Sequence, residues 1–211
     1  LDGLVLPGAC SVAMSDAPPN SARSVRLISP AGAVRRFRKG VRTLVAADPG
    51  LARIITDAGQ PPIALRESGF PTMLRAIVAQ QVSAAAARTI WGRIEARVGA
   101  PVMAANFILL GQEGVRALGL SGRKAEYALG LAEAELTGAL DFARIARLPD
   151  EPAIETLTAL RGVGRWTAEI YLLFALGRPD VWPAADLALA TAAGRVRGLA
   201  GRPSFKEAAE I

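Results

Sequence analysis

From about residue 43 onward the apolar positions of this chain recur every three or four residues, the spacing of a helix face, and no alternating strand pattern appears. Asp48-Pro49 is an N-cap followed by proline at the first helical position, and it starts a helix of about ten residues. Phe70-Pro71 opens a second, with Leu74, Ile77 and Val78 on one face, closed by Gln80-Gln81-Val82. Ser83 caps the next, Ala84 to about Arg97, and residues 102–110 and 112–118 read as two short helices. A long helix follows Ser121-Gly-Arg-Lys as far as about Thr137, and another runs from Pro149-Asp150 to near Leu160. Residues 164–177 form a helix that Gly177-Arg-Pro-Asp180 stops; Ala185 to about Arg197 forms one more, and Pro203-Ser204 caps a last segment. The expectation is an all-α core of roughly nine to eleven helices in two lobes, with any strand content before residue 43.

The basic stretch 23–42 holds Arg23, Arg26, Arg35, Arg36, Arg38, Lys39 and Arg42 with no acid among them. It suits an arm on phosphate or, equally, a solvated strand or hairpin face. Residues 1–22 read as a disordered or extraneous lead-in: residues 1–13 have a broken apolar run without a basic lead, and Met14 reads as a start. Residues 23–69 are expected to pack with the C-terminal helices, residues 70–175 to form the main helical lobe, and residues 176–211 to complete the other lobe.

Composition narrows the chemistry. A single cysteine, Cys10, excludes an internal disulfide, a Cys-ligated cluster and a Cys-rich zinc site. There is no histidine, so His-dependent nucleophilic catalysis and His-based metal sites are excluded, and acid–base work falls to Asp, Glu, Lys or Tyr. One cysteine fits a reducing cytoplasm. No stretch approaches the ~18 consecutive apolar residues of a membrane span. The net charge of +6 suits a polyanionic partner, although a GC-rich genome that favours arginine gives the same composition.

The chemistry-bearing pattern is Leu160-Arg-Gly-Val-Gly-Arg-Trp-Thr-Ala168, followed after eighteen residues by Asp186. Gly162 and Gly164 flank Val163 in a tight turn between helices. Glycine permits positive φ and close approach of another backbone, Val163 can dock inward, and amides at the new helix's N-terminus can meet an anion. Arg161 and Arg165 sit where they can reach flanking phosphates, while Thr167 and Ala168 allow close helix packing. A glycine-capped helix–helix turn is the plainer alternative. Asp186 before Leu-Ala-Leu-Ala is likewise an ordinary N-cap as well as a candidate acid.

The nine-residue stretch resembles the helix-hairpin-helix motif of the DNA glycosylase superfamily. The resemblance covers about residues 43–200: Phe70 to Ser83 is similar to the segment that enters the minor groove, Leu118 to Lys124 with Tyr127 to a further family stretch, and Asp180 to Leu189 to the loop and helix of the catalytic aspartate. The 3-methyladenine DNA glycosylase II family, in a compact branch, is the most similar. The resemblance implies a cleft between the lobes and a monofunctional enzyme that hydrolyses the N-glycosidic bond of alkylated purines (3-methyladenine, 7-methylguanine) in duplex DNA after base flipping. It implies Asp186 as the catalytic residue; members with lyase activity carry lysine where this chain has Trp166. Trp166 is implied for the base pocket, with Trp182 and Tyr171 as further candidates, Tyr171 equally as a core residue, and Gln81 is implied for the plug that fills the vacated stack. Arg161, Gly162, Val163, Gly164, Arg165 and Thr167, with Ser121, Arg123 and Lys124, are implied for the DNA backbone. No catalytic metal or cofactor is implied; a structural cation at the hairpin carbonyls when DNA is bound is. Other lesions (hypoxanthine, ethenoadenine, uracil) or a non-catalytic DNA-binding module are the alternatives. A monomer in the cytoplasm, on the nucleoid of a bacterium, is the expected setting. Family members continue past the position of Ile211 with another basic, tryptophan-containing helix.

Overall fold

The computed structural model describes residues 30–62 and 65–210. Among them are twelve helices and no strand. They are α1 (Pro30–Ala47), α2 (Pro49–Ala58), α3 (Phe70–Ala79), α4 (Ala84–Val98), α5 (Ala104–Ile108), α6 (Gly111–Ala117), α7 (Gly122–Leu136), α8 (Phe142–Ile145), α9 (Asp150–Thr158), α10 (Arg165–Phe174), α11 (Leu187–Val196) and α12 (Phe205–Ala209). The all-α expectation holds.

The caps seen in the sequence do their expected work. Asp48 accepts from the amides of Gly50 and Leu51, and Ser83, Ser121 and Ser204 cap α4, α7 and α12 in the same manner. Two elements differ from the sequence reading. Residues 30–42 lie in α1, so a helix replaces the strand alternative there. Pro30 suits a first helical turn, and Val34, Phe37, Val41 and Leu44 keep three- and four-residue spacing along it, with Phe37 and Leu44 exposed. Residues 23–29 and the lead-in 1–22 lie outside the described residues. The four-residue α8 falls in a stretch left unassigned; Asp141, accepting from the Ala143 and Arg144 amides, is its signal.

The main core forms around α3, whose Phe70, Met73, Leu74, Ile77 and Val78 are all buried. It packs against α4, α7 and α10, while α5 and α6 cover α7 and α9 pairs with α10. Burying each such side chain stabilises the fold by roughly 1.5–3 kcal/mol, which is why an apolar α3 sits inside rather than on the surface. Arg178, just past α10, donates to the carbonyls of Ile145, Ala146 and Leu148 and pairs with Asp150, closing the α8–α9 corner. At the other side α1 packs on α2 and α11 on α12. Asp48 joins these pairs: one oxygen caps α2 and the other accepts from Arg197 at 2.8 Å. The α2 amides, led by that of Leu51, together with Arg197, hold the Asp48 carboxyl below its ordinary range. Among the described residues no helix is long and apolar enough to cross a membrane.

Candidate nucleic-acid interface and active site

The hairpin joins α9 to α10. Gly162 takes φ 88°, a left-handed conformation, and a Cβ placed on it would lie 2.2 Å from the Tyr127 ring. Glycine is therefore required twice over, by backbone and by contact. Val163 is buried and joins the main core, anchoring the turn from inside. Gly164 differs: its φ of −86° is ordinary, and no atom lies within 4 Å of where its Cβ would be. Its outer face is open, and as the N-cap of α10 it supplies no side-chain hydrogen bond. The first amides of α10 thus end in a partial positive charge at an open surface.

One residue into α10 the indole N–H of Trp166 donates to Asp186 Oδ2 at 3.0 Å. Asp186 is the N-cap of α11, and its Oδ1 accepts from the amides of Ala188 at 3.0 Å and Leu189 at 2.9 Å. Its own amide donates to Pro183 O at 2.8 Å, closing a turn that follows buried Val181. Three donors thus fix both carboxylate oxygens, and the side chain stays half-buried. A carboxylate has about four acceptor positions, so one direction remains for another group. The acid and the hairpin, twenty residues apart in sequence, meet through one hydrogen bond.

The other sequence candidates divide. Arg161 is 80% exposed, 3.8 Å from Glu126, and is available to a phosphate. Arg123 is exposed beside the Ser121-capped start of α7. Trp182 lies in the loop before Asp186, 41% exposed, its indole N–H donating to Ala208 O at 2.7 Å. Gln81 is exposed at the α3–α4 tip and is the only non-glycine with positive φ, 54°, among the described residues.

Four further candidates have partners inside the protein. The Arg165 guanidinium makes a two-pronged pair with Glu151, at 3.0 and 2.6 Å, and its Nε donates to Glu169 at 2.9 Å. Glu151 foremost, then Glu169, push the Arg165 pKa above its usual value. Burial raises that of Glu169, with Arg165 opposing. Thr167 has a buried side chain whose hydroxyl accepts from Gln80, leaving only its main chain for an external anion. Lys124 turns inward and donates to Val78 O at 2.9 Å and to Gln80 O, the unpaired carbonyls where α3 ends. Tyr171 is fully buried, stacked obliquely on Phe142, its hydroxyl accepting from the Gly69 amide; it is core rather than pocket. Burial raises the Tyr171 pKa.

The profile of "HhH-GPD superfamily base excision DNA repair protein" matches residues 74–211, from within α3 to the end of the chain. The chain belongs to the HhH-GPD superfamily. It is 35% identical over 127 residues to DNA-3-methyladenine glycosylase 1 of Schizosaccharomyces pombe, covering 59% of this chain and 56% of that protein. A putative DNA-3-methyladenine glycosylase of Bacillus subtilis is 29% identical over 161 residues, 73% of this chain and 56% of that one. The chain thus spans a little over half the length of these curated relatives. The solved structure of the Schizosaccharomyces pombe 3-methyladenine DNA glycosylase with abasic DNA superposes with a TM-score of 0.74 at 29% identity, covering 82% of this chain and 86% of that chain. A Clostridium acetobutylicum 8-oxoguanine glycosylase/lyase shares the fold at 18% identity, with a TM-score of 0.73 over 84% of this chain and 63% of that chain. Within this HhH-GPD chain, α1 and α2 lie outside the matched span.

Sequence reasoning missed Gln80. Its Nε2 donates to Gly162 O at 3.0 Å and Thr167 Oγ1 at 3.1 Å, joining the α3–α4 loop to the hairpin. Only the pair Gln80-Gln81 hinted at it, and nothing in the sequence separates the two roles.

Proposed function

We propose that this chain is a monofunctional DNA glycosylase that hydrolyses the N-glycosidic bond of alkylated purines in duplex DNA. The observation that carries the proposal is the Asp186 carboxylate bonded to Trp166 at the mouth of the hairpin. In the proposed mechanism the open amides at the start of α10, with Arg161, hold one strand, and the damaged nucleotide leaves the stack at a cost of a few kcal/mol. Gln81 fills the gap it leaves. As the bond from C1′ to the base breaks, its electron pair goes to the base and positive charge grows on the sugar. Asp186 faces that charge with a negative one that needs no reorganisation. Water then bonds to C1′ and gives up a proton, leaving an abasic site and a free base. Cationic 3-methyladenine and 7-methylguanine accept the electron pair readily and stack on an aromatic face such as Trp166. Position 166 offers no amine for a Schiff base, and the Lys124 amine is bonded to Val78 O and Gln80 O.

The protein works as a monomer with the duplex across one face. A cation at the hairpin carbonyls belongs to the same proposal: oxygen donors suit a hard cation. Gly162 O already accepts from Gln80 and Leu160 O from the Val163 amide, each with one lone pair left.

Oligonucleotides carrying single lesions test the activity. Free base and alkali-labile sites are expected from 7-methylguanine, without strand breaks before alkali. Release only of hypoxanthine, ethenoadenine or uracil would reassign the substrate, and breaks before alkali would overturn the monofunctional reading. The two hairpin arginines give a second test. Replacing Arg161 with Gln should flatten the dependence of log affinity on log salt by about 1, whereas Arg165→Gln should leave that slope unchanged. Equal effects would return Arg165 to the phosphate contacts.

A further inference from the structure

The α3–α4 tip is held by two side chains that its exposed residues do not account for. Gln81 sits at φ 54° with its side chain in solvent, a conformation that costs an L-residue about 1–2 kcal/mol and must be held from outside. On the N-terminal side of Gln81, the ammonium of Lys124, 44 residues from Gln80, gathers Val78 O and Gln80 O. From the same place Gln80 reaches 82 residues along the chain to the Gly162 carbonyl and then to Thr167. Gly162 is the residue whose left-handed turn shapes the hairpin, so the tip and the hairpin share one hydrogen-bond network that also includes α7.

We infer that Gln80 and Lys124 are positioning residues: they hold Gln81 in its left-handed conformation and in register with the hairpin, so that gripping the strand and filling the vacated stack occur together. The inference rests on the proposed role of Gln81 as plug. Neither residue touches the base. Their loss should therefore slow the step in which the lesion leaves a paired stack and spare substrates in which that step is already easy.

The test uses the full chain and two readouts. The first is single-turnover release of 7-methylguanine paired in a duplex or facing a one-nucleotide gap. The second, free of chemistry, is the fluorescence of 2-aminopurine opposite a tetrahydrofuran abasic analogue, which reports occupation of the gap. Gln80→Ala and Lys124→Met should lower release from the paired duplex about tenfold, the factor that corresponds to one lost hydrogen bond of this kind. Against the gap the loss should be far smaller, and the 2-aminopurine change at saturating protein should shrink. Lys124→Arg, which restores donors, should recover most of both. Gln80→Glu keeps the shape without the donor and should behave as Gln80→Ala does, even if the alanine variant fails to fold. An equal loss on both substrates, or an unaltered fluorescence change, would overturn the inference. If the unmodified protein releases no base from any lesion, the proposed function fails and the fluorescence arm alone decides this inference.

Discussion

Asp186→Asn is expected to reduce base release by at least about 10³-fold while leaving the fold and DNA affinity nearly intact. The magnitude follows from removing a fixed charge from beside a developing cation, an effect at least as large as losing one preorganised donor from an oxyanion site. Asparagine caps a helix as well as aspartate does, so α11 should keep its start and stability should change by no more than ~1 kcal/mol. The substitution still disturbs the site in a defined way. The carboxylate now accepts from Trp166 on one oxygen and from α11 on the other. An amide has only one acceptor atom, so it must give up one of these. Single-turnover release, together with affinity for an abasic-analogue duplex, separates chemistry from binding. Near-normal release by the asparagine variant would remove Asp186 from the mechanism.

The second large effect is expected at Gly162. Alanine there meets the Tyr127 ring and must hold a φ of 88°. Overpacking costs about 1–3 kcal/mol and a left-handed L-residue about 1–2, so a loss of roughly 2–5 kcal/mol is expected. That is a large fraction of the ~5–15 kcal/mol that holds a typical domain, and in a chain of this size it lowers the melting temperature by roughly 5–15 °C. Gly164→Ala provides the contrast. Its backbone is ordinary and the space around it empty, so stability should move by no more than ~1 kcal/mol. Affinity for duplex DNA should nevertheless fall, because the added methyl group would stand in the way of the phosphate contact proposed for the α10 amides. Equal melting shifts for the two variants would contradict the distinct roles given to the two glycines.

The features legible in the sequence were those encoded by neighbours in the chain. Caps at Asp48, Ser83, Ser121 and Asp186 lie within three residues of the amides they satisfy, and periodicity supplied most helices between them. The hairpin was legible through the whole nine-residue pattern around Gly-Val-Gly and its resemblance to the helix-hairpin-helix motif, and buried Val163 fills the role its apolar side chain suggested. Long polar side chains were not legible. Arg165, Lys124 and Gln80 each have a reach of several ångströms, and their partners, Glu151, Val78 O and Gly162 O, are set by how helices pack. A surface cation and an inward one look alike in sequence. Tyr171 is a matter of helical phase: successive residues of α10 are turned by about 100°, and its place on that helix faces the core. Asp186 was legible both as a cap and as a candidate acid; what the sequence did not show is that one oxygen caps α11 while the other meets Trp166.

In the proposed mechanism Asp186 meets positive charge on a sugar held by the hairpin. The most direct measurement of this compares affinity for two duplexes, one with a cationic pyrrolidine in place of the damaged nucleotide and one with the neutral tetrahydrofuran ring. A group complementary to the transition state favours the charged mimic, here by at least about 10²-fold. That preference is expected in the unmodified protein and is expected to disappear in Asp186→Asn. Equal affinity of the unmodified protein for the two duplexes, or a preference that survives the substitution, would contradict the mechanism.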